Sequence, residues 1–317
     1  MDPLPQVNIV VPLYNEEEVF HLLRDRLTGV LNNTRLRVEV IMVDDGGKDK
    51  TAQLMADLSR TDKRFQSVFL SRNFGHQFAL SAGLKYVNAT DAVFIIDGDL
   101  QDPPELLDEF FAYYEKGYDV VYAVRKKRKE TFAKRMAYKM YYRLLKRVAN
   151  LDIPLDSGDF SLVSRRVINI MNAMPEESRY LRGMRSWIGF KQIGVEYERS
   201  ERSAGDSKYS WKQLYKLAMN GIFNFSEYPI KVTFALGVVA LISALLFFGY
   251  TLFSRLVMNE VPEGFTSLLF TIIMFSGVQL IALGLIGEYV IRIFFQVKDR
   301  PLFIVKERIV NGEHIYE

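Results

Sequence analysis

The sequence predicts an α/β protein, a doubly wound and mostly parallel sheet followed by two C-terminal transmembrane helices. Three observations carry that expectation. Short apolar, β-branched runs alternate with segments of helical period through the N-terminal part of the chain. Acidic or polar clusters follow those runs, at the carboxyl edge where open α/β sheets bind ligands. Near the C-terminus, Val232–Ser254 and Gly264–Gly287 hold no charge in 23 and 24 residues, and roughly 20 apolar residues span a bilayer core.

Taken in order, Val7–Pro12 reads as a strand buried on both faces, with Leu13–Glu17 as the loop after it. Val19, Leu22, Leu23 and Leu27 then recur at helical spacing. Arg37–Val43 is a second strand, ending at Asp44-Asp45-Gly46-Gly47. Thr51 opens a helix with Leu54, Met55 and Leu58 on one face. Phe65–Ser71 is a third strand, closed by Arg72-Asn73-Phe74-Gly75, and Gln77–Tyr86 is helical. Val93–Ile96 is a fourth strand, stopping at Asp97-Gly98-Asp99, and Tyr118–Val124 a fifth. Asp102 is expected to cap the next helix, with Pro103 at its first position and Glu105 at its third.

Composition excludes several classes. A net charge of +3 over 317 residues is too slight to argue for nucleic acid. The absence of cysteine excludes disulfides and thiolate metal sites. Met1–Pro5 has neither a basic nor an apolar signal region, so no cleaved signal peptide is expected. No Walker A loop and no G-x-G-x-x-G follows the first strand, which counts against a P-loop NTPase or a nicotinamide enzyme.

The Asp97-Gly98-Asp99 segment carries the chemistry. Glycine between two carboxylates lets the backbone turn sharply. Such a pair on a strand-end loop suits Mg²⁺ or Mn²⁺, hard cations that share protein carboxylates with substrate phosphate oxygens. A second acidic cluster at Asp44-Asp45 suits the base and ribose of a nucleotide whose diphosphate the metal holds.

Val11-Pro12-Leu13-Tyr14-Asn15-Glu16, Val43-Asp44-Asp45-Gly46, Ser71-Arg72-Asn73-Phe74-Gly75 and Asp97-Gly98-Asp99-Leu100-Gln101-Asp102-Pro103-Pro104-Glu105 resemble the successive motifs of family 2 glycosyltransferases with a GT-A fold. More narrowly, they resemble the polyprenyl-phosphate glycosyltransferases, which include dolichol-phosphate mannose synthases and bactoprenol glucosyltransferases. The resemblance implies nucleotide-sugar contacts at Pro12, Tyr14, Glu16, Asp44 or Asp45, Arg72 and Asp97. It implies a metal at Asp97 and Asp99, with Gln101 as a further ligand. Gly47 departs from the family, which usually has serine there.

The resemblance continues along the chain. After the fifth strand, Arg125-Lys126-Lys127-Arg128-Lys129 leads into a basic, aromatic-rich helix that suits a membrane surface and an anionic head group. Arg125 and Arg135 match positions where the family holds the lipid phosphate. Asp156-Ser157-Gly158-Asp159-Phe160 matches the segment carrying its active-site aspartate, which leaves Asp156 and Asp159 as catalytic candidates. Glu198–Tyr209 resembles a mobile loop closing over the site, with Arg202 and Lys208 toward the acceptor phosphate.

The expected division is a catalytic domain at 1–210, interfacial amphipathic helices at 211–230, transmembrane helices at 231–292 and a tail at 293–317. Lys212, Lys216 and Lys231 flank the first apolar run, and Arg292, Lys298, Arg300, Lys306 and Arg308 follow the second. By the positive-inside rule, catalytic domain and both termini are cytoplasmic. Small residues (Gly237, Ser243, Gly277, Gly284, Gly287) permit close helix packing and a homo-oligomer. Phe303–Tyr316 is expected to form a hairpin through Asn311-Gly312.

The reaction implied is inverting transfer of glucose from UDP-glucose to undecaprenyl phosphate, with GDP-mannose or an aminoarabinose donor as alternatives. A processive polysaccharide synthase would carry a Gln-x-x-Arg-Trp segment, and Arg182-Gly183-Met184-Arg185-Ser186-Trp187 lacks the glutamine and the spacing. Retention of Asp97, Asp99, Asp156 and Asp159 argues against a non-catalytic scaffold. The apolar runs hold no charge for a flippase to use.

Overall fold

The apolar runs of the N-terminal part fold as strands buried on both faces, in a computed structural model that describes residues 4–125, 157–177, 179–198, 228–258 and 264–316. The order is β1 (Gln6–Leu13), α1 (Phe20–Asn33), β2 (Arg37–Asp44), α2 (Thr51–Thr61), β3 (Phe65–Leu70), α3 (His76–Lys85) and β4 (Ala92–Ile95). A 3₁₀ turn (Pro104–Leu106), α4 (Leu107–Glu115) and β5 (Val120–Arg125) follow. Then come β6 (Ser157–Ser164), α5 (Arg165–Ala173), α6 (Leu181–Trp187) and β7 (Gln192–Tyr197). Two long helices, α7 (Tyr228–Phe253) and α8 (Phe265–Lys298), precede β8 (Val305–Val310) and β9 (Glu313–Tyr316).

Among the described residues, nine strands form one sheet in the order β7-β5-β6-β4-β1-β2-β3-β8-β9. β4, β1, β2 and β3 are mutually parallel, as strand–helix alternation requires. β6 and β8 run antiparallel against the two sides of that block. Alternate residues of β1 serve opposite layers. Ile9 and Val11 pack with Phe20, Leu23 and Leu27 of α1, and with Phe110 and Phe111 of α4. Val10 packs on the other face with Ala79 and Leu80 of α3, and with Val167 and Met171 of α5. This is the doubly wound arrangement expected, with helices on both faces.

Two local expectations change. Asp102 does not cap a helix. It is buried, and its Oδ1 accepts a hydrogen bond from the Tyr197 hydroxyl at 2.7 Å. Pro104 pushes Pro103 into an extended conformation, so the turn starts one residue later. The left-handed residue of the Asp97–Gln101 turn is Leu100 (φ 61°), not Gly98. Gly98 is needed for close approach instead, because a Cβ there would lie 2.4 Å from Leu13 Cδ2.

The C-terminal hairpin turns through Asn311 (φ 55°) and Gly312 (φ 86°), the paired positive values of a tight hairpin turn. It is also part of the nine-stranded sheet, since β8 pairs with β3. By contacts the chain divides into two units, and residues 301–317 belong with the sheet while 216–300 form the other unit. In that second unit α7 and α8 are long and apolar enough to cross a membrane, and their side chains are largely exposed. Helix α8 outlasts its uncharged run by three turns, carries an Arg292–Glu288 pair at 2.8 Å, and stops at left-handed Asp299 just before Pro301.

Helix α3 lies tight on the sheet because Gly83 faces Val10. A Cβ at Gly83 would sit 2.4 Å from Val10 Cγ1. Gly83→Ala gains about 1 kcal/mol of helix propensity, but overpacking against a stiff β-branched side chain costs about 1–3 kcal/mol. We expect a net fall in the thermal midpoint, recovered in part by adding Val10→Ala. A midpoint raised by Gly83→Ala alone would refute the close packing.

Candidate active site

The loops at the carboxyl edge are sewn together by side chains that accept backbone N–H groups. Asn15, held at φ 55°, accepts from Lys48 N at 2.8 Å. Thr51 Oγ1 accepts from Glu16 N at 2.9 Å. Asp45 accepts from Phe74 N and Gly75 N at 2.8 and 2.9 Å, one on each oxygen. Burial pushes its carboxyl up, and those two amides partly offset this. Asp45 therefore ties the end of β2 to the loop before α3. Gly46 is required where the two loops touch, because its φ is 67° and a Cβ would lie 2.4 Å from the Arg72 carbonyl carbon.

Asp44 stands differently. Its Oδ1 accepts from Gly47 N at 3.2 Å, and burial raises its pKa. It lines a cavity of about 470 Å³ together with Gly46, Gly47, Ser71 and Arg72. The Arg72 guanidinium lies 4.0 Å from the centre of the Phe74 ring. Of the two carboxylates at this strand end, Asp44 faces the cavity and Asp45 holds the loop.

The Asp97–Gln101 turn is fixed from behind. Arg26 of α1 makes two parallel bonds to Glu105, at 2.8 and 2.6 Å, and donates to the Leu100 carbonyl at 3.3 Å. Leu100 is buried, so a conformation that costs an ordinary residue about 1–2 kcal/mol is held by packing and by Arg26. Asp99 Oδ1 accepts from Gln101 N at 3.1 Å. Asp97 Oδ1 and Gln101 Oε1 are buried with no hydrogen-bond partner among the described residues. Burial pushes the Asp97 carboxyl up, His76 opposes this, and Asp159 and Asp99 push it further.

Two stranded oxygens, one carboxylate and one amide, beside the Asp99 carboxylate fit an oxygen-seeking cation such as Mg²⁺ or Mn²⁺. No group of three His, Asp or Glu side chains stands close enough to hold a metal among the described residues. A cation here would draw its remaining ligands from substrate and water, as Mg²⁺ commonly does.

Asp159, near the start of β6, is the hub of the site. Its oxygens accept from Arg182 Nε and Gln77 Nε2, both at 2.9 Å, and from Arg182 Nη2 at 3.2 Å. His76 Nε2 lies 3.5 Å from Asp159 Oδ2 and 3.5 Å from Asp97 Oδ1. Burial would raise the Asp159 pKa, but Arg182 and His76 outweigh it and hold the carboxyl well below its usual range. Burial likewise opposes charge on His76, and Asp159 and Asp97 lift it to about 9. Arg185 lies buried behind, donating to Ser161 Oγ at 2.9 Å and to the Gly158 carbonyl at 3.2 Å. Burial lowers it to about 10.

The structure thus brings Pro12, Tyr14, Glu16, Asp44, Asp45, Arg72, Asp97, Asp99, Gln101 and Asp159 to the strand ends and loops of one sheet edge. Arg125 ends β5 at that edge. Arg135, Asp156, Arg202 and Lys208 lie outside the described residues, as do the basic run from Lys126 and the segment 211–227. Sequence reasoning gave no site role to His76, Gln77, Arg26 or Arg182, the last of which lies in the Arg179–Gly183 segment that resembles the family. His76 and Gln77 directly follow a singled-out motif, the one signal that could have found them.

A family model described as glycosyl transferase family 2 matches residues 8–170. The uncharacterized glycosyltransferase YkcC of Bacillus subtilis is 44% identical over 313 residues, covering 98% of this chain and 97% of its own. A protein of Escherichia coli K12 named prophage bactoprenol glucosyl transferase homolog is 33% identical, covering 95% and 98%. The bactoprenol glucosyl transferase of Shigella phage SfII is 35% identical, covering 95% and 98%.

The His76 pairing has a pH signature. A histidine whose pKa rises from 6.5 to about 9 on folding stabilises fully below pH 6.5 and loses that contribution as pH climbs through about 9. Metal-free protein in EDTA should therefore lose thermal stability between those values, and His76→Gln should flatten the slope. An equal slope in both, read by scanning fluorimetry, would contradict the paired imidazolium.

Proposed function

The chain belongs to glycosyl transferase family 2, and from that membership we propose that it moves one sugar from a nucleotide sugar onto a polyprenyl phosphate held in the membrane. The observation that carries the reading is the Asp97–Gln101 turn, with two stranded oxygens at the ligand-binding edge, in a chain that also holds two helices of membrane-spanning length. The names of the bactoprenol glucosyl transferases, similar along nearly their whole length, support a glucosyl donor and a bactoprenol acceptor. We assign glucose and undecaprenyl phosphate on that ground, and UDP as the nucleotide from the resemblance of the motifs.

In this reading Asp44 accepts from the donor's base, while Pro12, Tyr14, Glu16 and Arg72 line the nucleotide's path. Asp97, Asp99 and Gln101 hold Mg²⁺ or Mn²⁺. Such an ion, when bound, offsets the charge that develops on the departing diphosphate. The acceptor needs positioning more than deprotonation, because a phosphate monoester has a second pKa of about 6 and is already largely anionic at pH 7. Arg125, Arg135, Arg202 and Lys208 are assigned to that phosphate. Asp159 is no proton acceptor, since both its oxygens are engaged and its pKa is depressed. Its charge instead fixes Arg182 and His76 and steadies positive charge at the sugar carbon. Asp156 is the alternative for that last role. A single displacement inverts the anomeric centre.

The chain leaves the sheet before α7 and rejoins it at β8. That return supports placing both flanks of the helix pair on one side of the membrane. The lysines and arginines of those flanks favour the cytoplasmic side.

The test is incubation with radiolabelled UDP-glucose and undecaprenyl phosphate, then organic extraction. Label in the organic phase is expected. EDTA, Asp97→Asn or Asp99→Asn should each lower transfer by roughly a hundredfold or more. Full activity in EDTA would refute the metal assignment.

The acceptor assignment is checked separately. Arg125→Ala and Arg135→Ala should raise the KM for the lipid by about tenfold, the scale of one charge-assisted hydrogen bond, and leave UDP binding within about twofold. Asp159→Asn should instead lower kcat while metal-dependent UDP binding persists. Calorimetry showing that the two arginine changes mainly weaken UDP binding would overturn their assignment.

A further inference from the structure

The cavity beside Asp44 does not end at the family's motifs. Its far wall is the C-terminal hairpin, through Lys306, Glu307 and His314. Register explains why. Asp44 closes β2 opposite Phe69 of β3, and Leu70 pairs with Val305 of β8. Ser71 N donates to the Ile304 carbonyl at 2.9 Å. Lys306, one residue on, therefore belongs to the same sheet edge as Asp44. On the floor, Ala52 and Ala56 of α2 leave the space open.

The charged groups of this wall are not equivalent. His314 bonds to Arg60 at 3.0 Å and lies 3.4 Å from Glu307, so those three satisfy one another. Lys306 is exposed and has no hydrogen bond or ion pair among the described residues. The cavity thus offers a buried carboxylate, which only accepts hydrogen bonds, and an unspent ammonium, which only donates them.

We propose that the C-terminal hairpin forms one wall of the donor's base site, and that Lys306 with Asp44 selects a keto base. This rests on the nucleotide-sugar reading above. Uracil and guanine present a ring N–H flanked by a carbonyl oxygen. The N–H suits Asp44 and the oxygen suits Lys306. In the same placement cytosine and adenine set a bare ring nitrogen against the Asp44 carboxylate, acceptor to acceptor, and an amino group against the ammonium, donor to donor. Lys306 is then a specificity residue, supplied by a segment that follows both long helices in the chain.

The experiment uses the full chain in detergent with Mn²⁺, and calorimetry with UDP and CDP. Lys306→Met should weaken UDP by about tenfold, the scale of one hydrogen bond to a charged group, and leave the weaker CDP binding within about twofold. Lys306→Arg should restore most of the UDP affinity. The thermal midpoint should stay within about 2 °C, as for an exposed substitution. Unchanged UDP affinity would overturn the proposal. So would an equal loss for UDP and CDP, which would place the ammonium at the phosphates. Failure of the unaltered protein to bind UDP or GDP or to transfer label would overturn the donor assignment itself, and this inference with it.

Discussion

Crowded carboxylates at one edge of the sheet are the constraint on which the rest of this site depends. Asp44 ends β2 there, Asp45, Asp97 and Asp99 lie in the loops that follow strands, and Asp159 is the third residue of β6. Like charges brought together and partly desolvated repel, and each must be answered by a donor, a cation or a proton. The chain answers them differently. Asp45 is spent on two backbone amides and Asp159 on Arg182, Gln77 and His76. Asp97 is left with a distant imidazole and an oxygen that bonds to nothing among the described residues. Satisfaction is therefore unequal: Asp45 and Asp159 hold loops and side chains in place, and one oxygen of Asp97 is left unbonded among the described residues.

That division explains what was legible in the sequence. β1 to β4 are short apolar runs ending in polar clusters, so their existence and edge could be read directly. The Asn311-Gly312 hairpin and the two uncharged runs carry equally local signals. The Asp159 network does not, because Gln77 lies 82 residues from its partner and Arg182 lies 23 away. Arg26 is 79 residues from Glu105 and reads as an ordinary polar position on an amphipathic helix. The cap expected at Asp102 failed for the same reason. Its local pattern was sound, but a tyrosine hydroxyl 95 residues away offered a buried partner.

Asp44 and Asp45 show the limit most clearly. As neighbours in sequence they were interchangeable. Successive side chains at a strand end point in opposite directions, so only one can face the cavity. The other is left to satisfy the loop before α3, and the glycine after it lets that loop come within reach.

The C-terminal hairpin extends the argument from site to whole chain. Without β8 the edge of β3 would be open to unwanted pairing, and here the covering strand follows two helices long enough to cross a membrane. If those two helices cross a membrane, β8 can reach β3 only when both flanks of the pair lie on one side of it. An odd number of crossings would strand β8 away from β3. Under the proposed reading this couples function to insertion: a chain that fails to return lacks one wall of the cavity beside Asp44. An acceptor confined to the bilayer gives a physical reason for such an arrangement, because tethering enzyme and acceptor to one surface raises their effective concentration without any new contact.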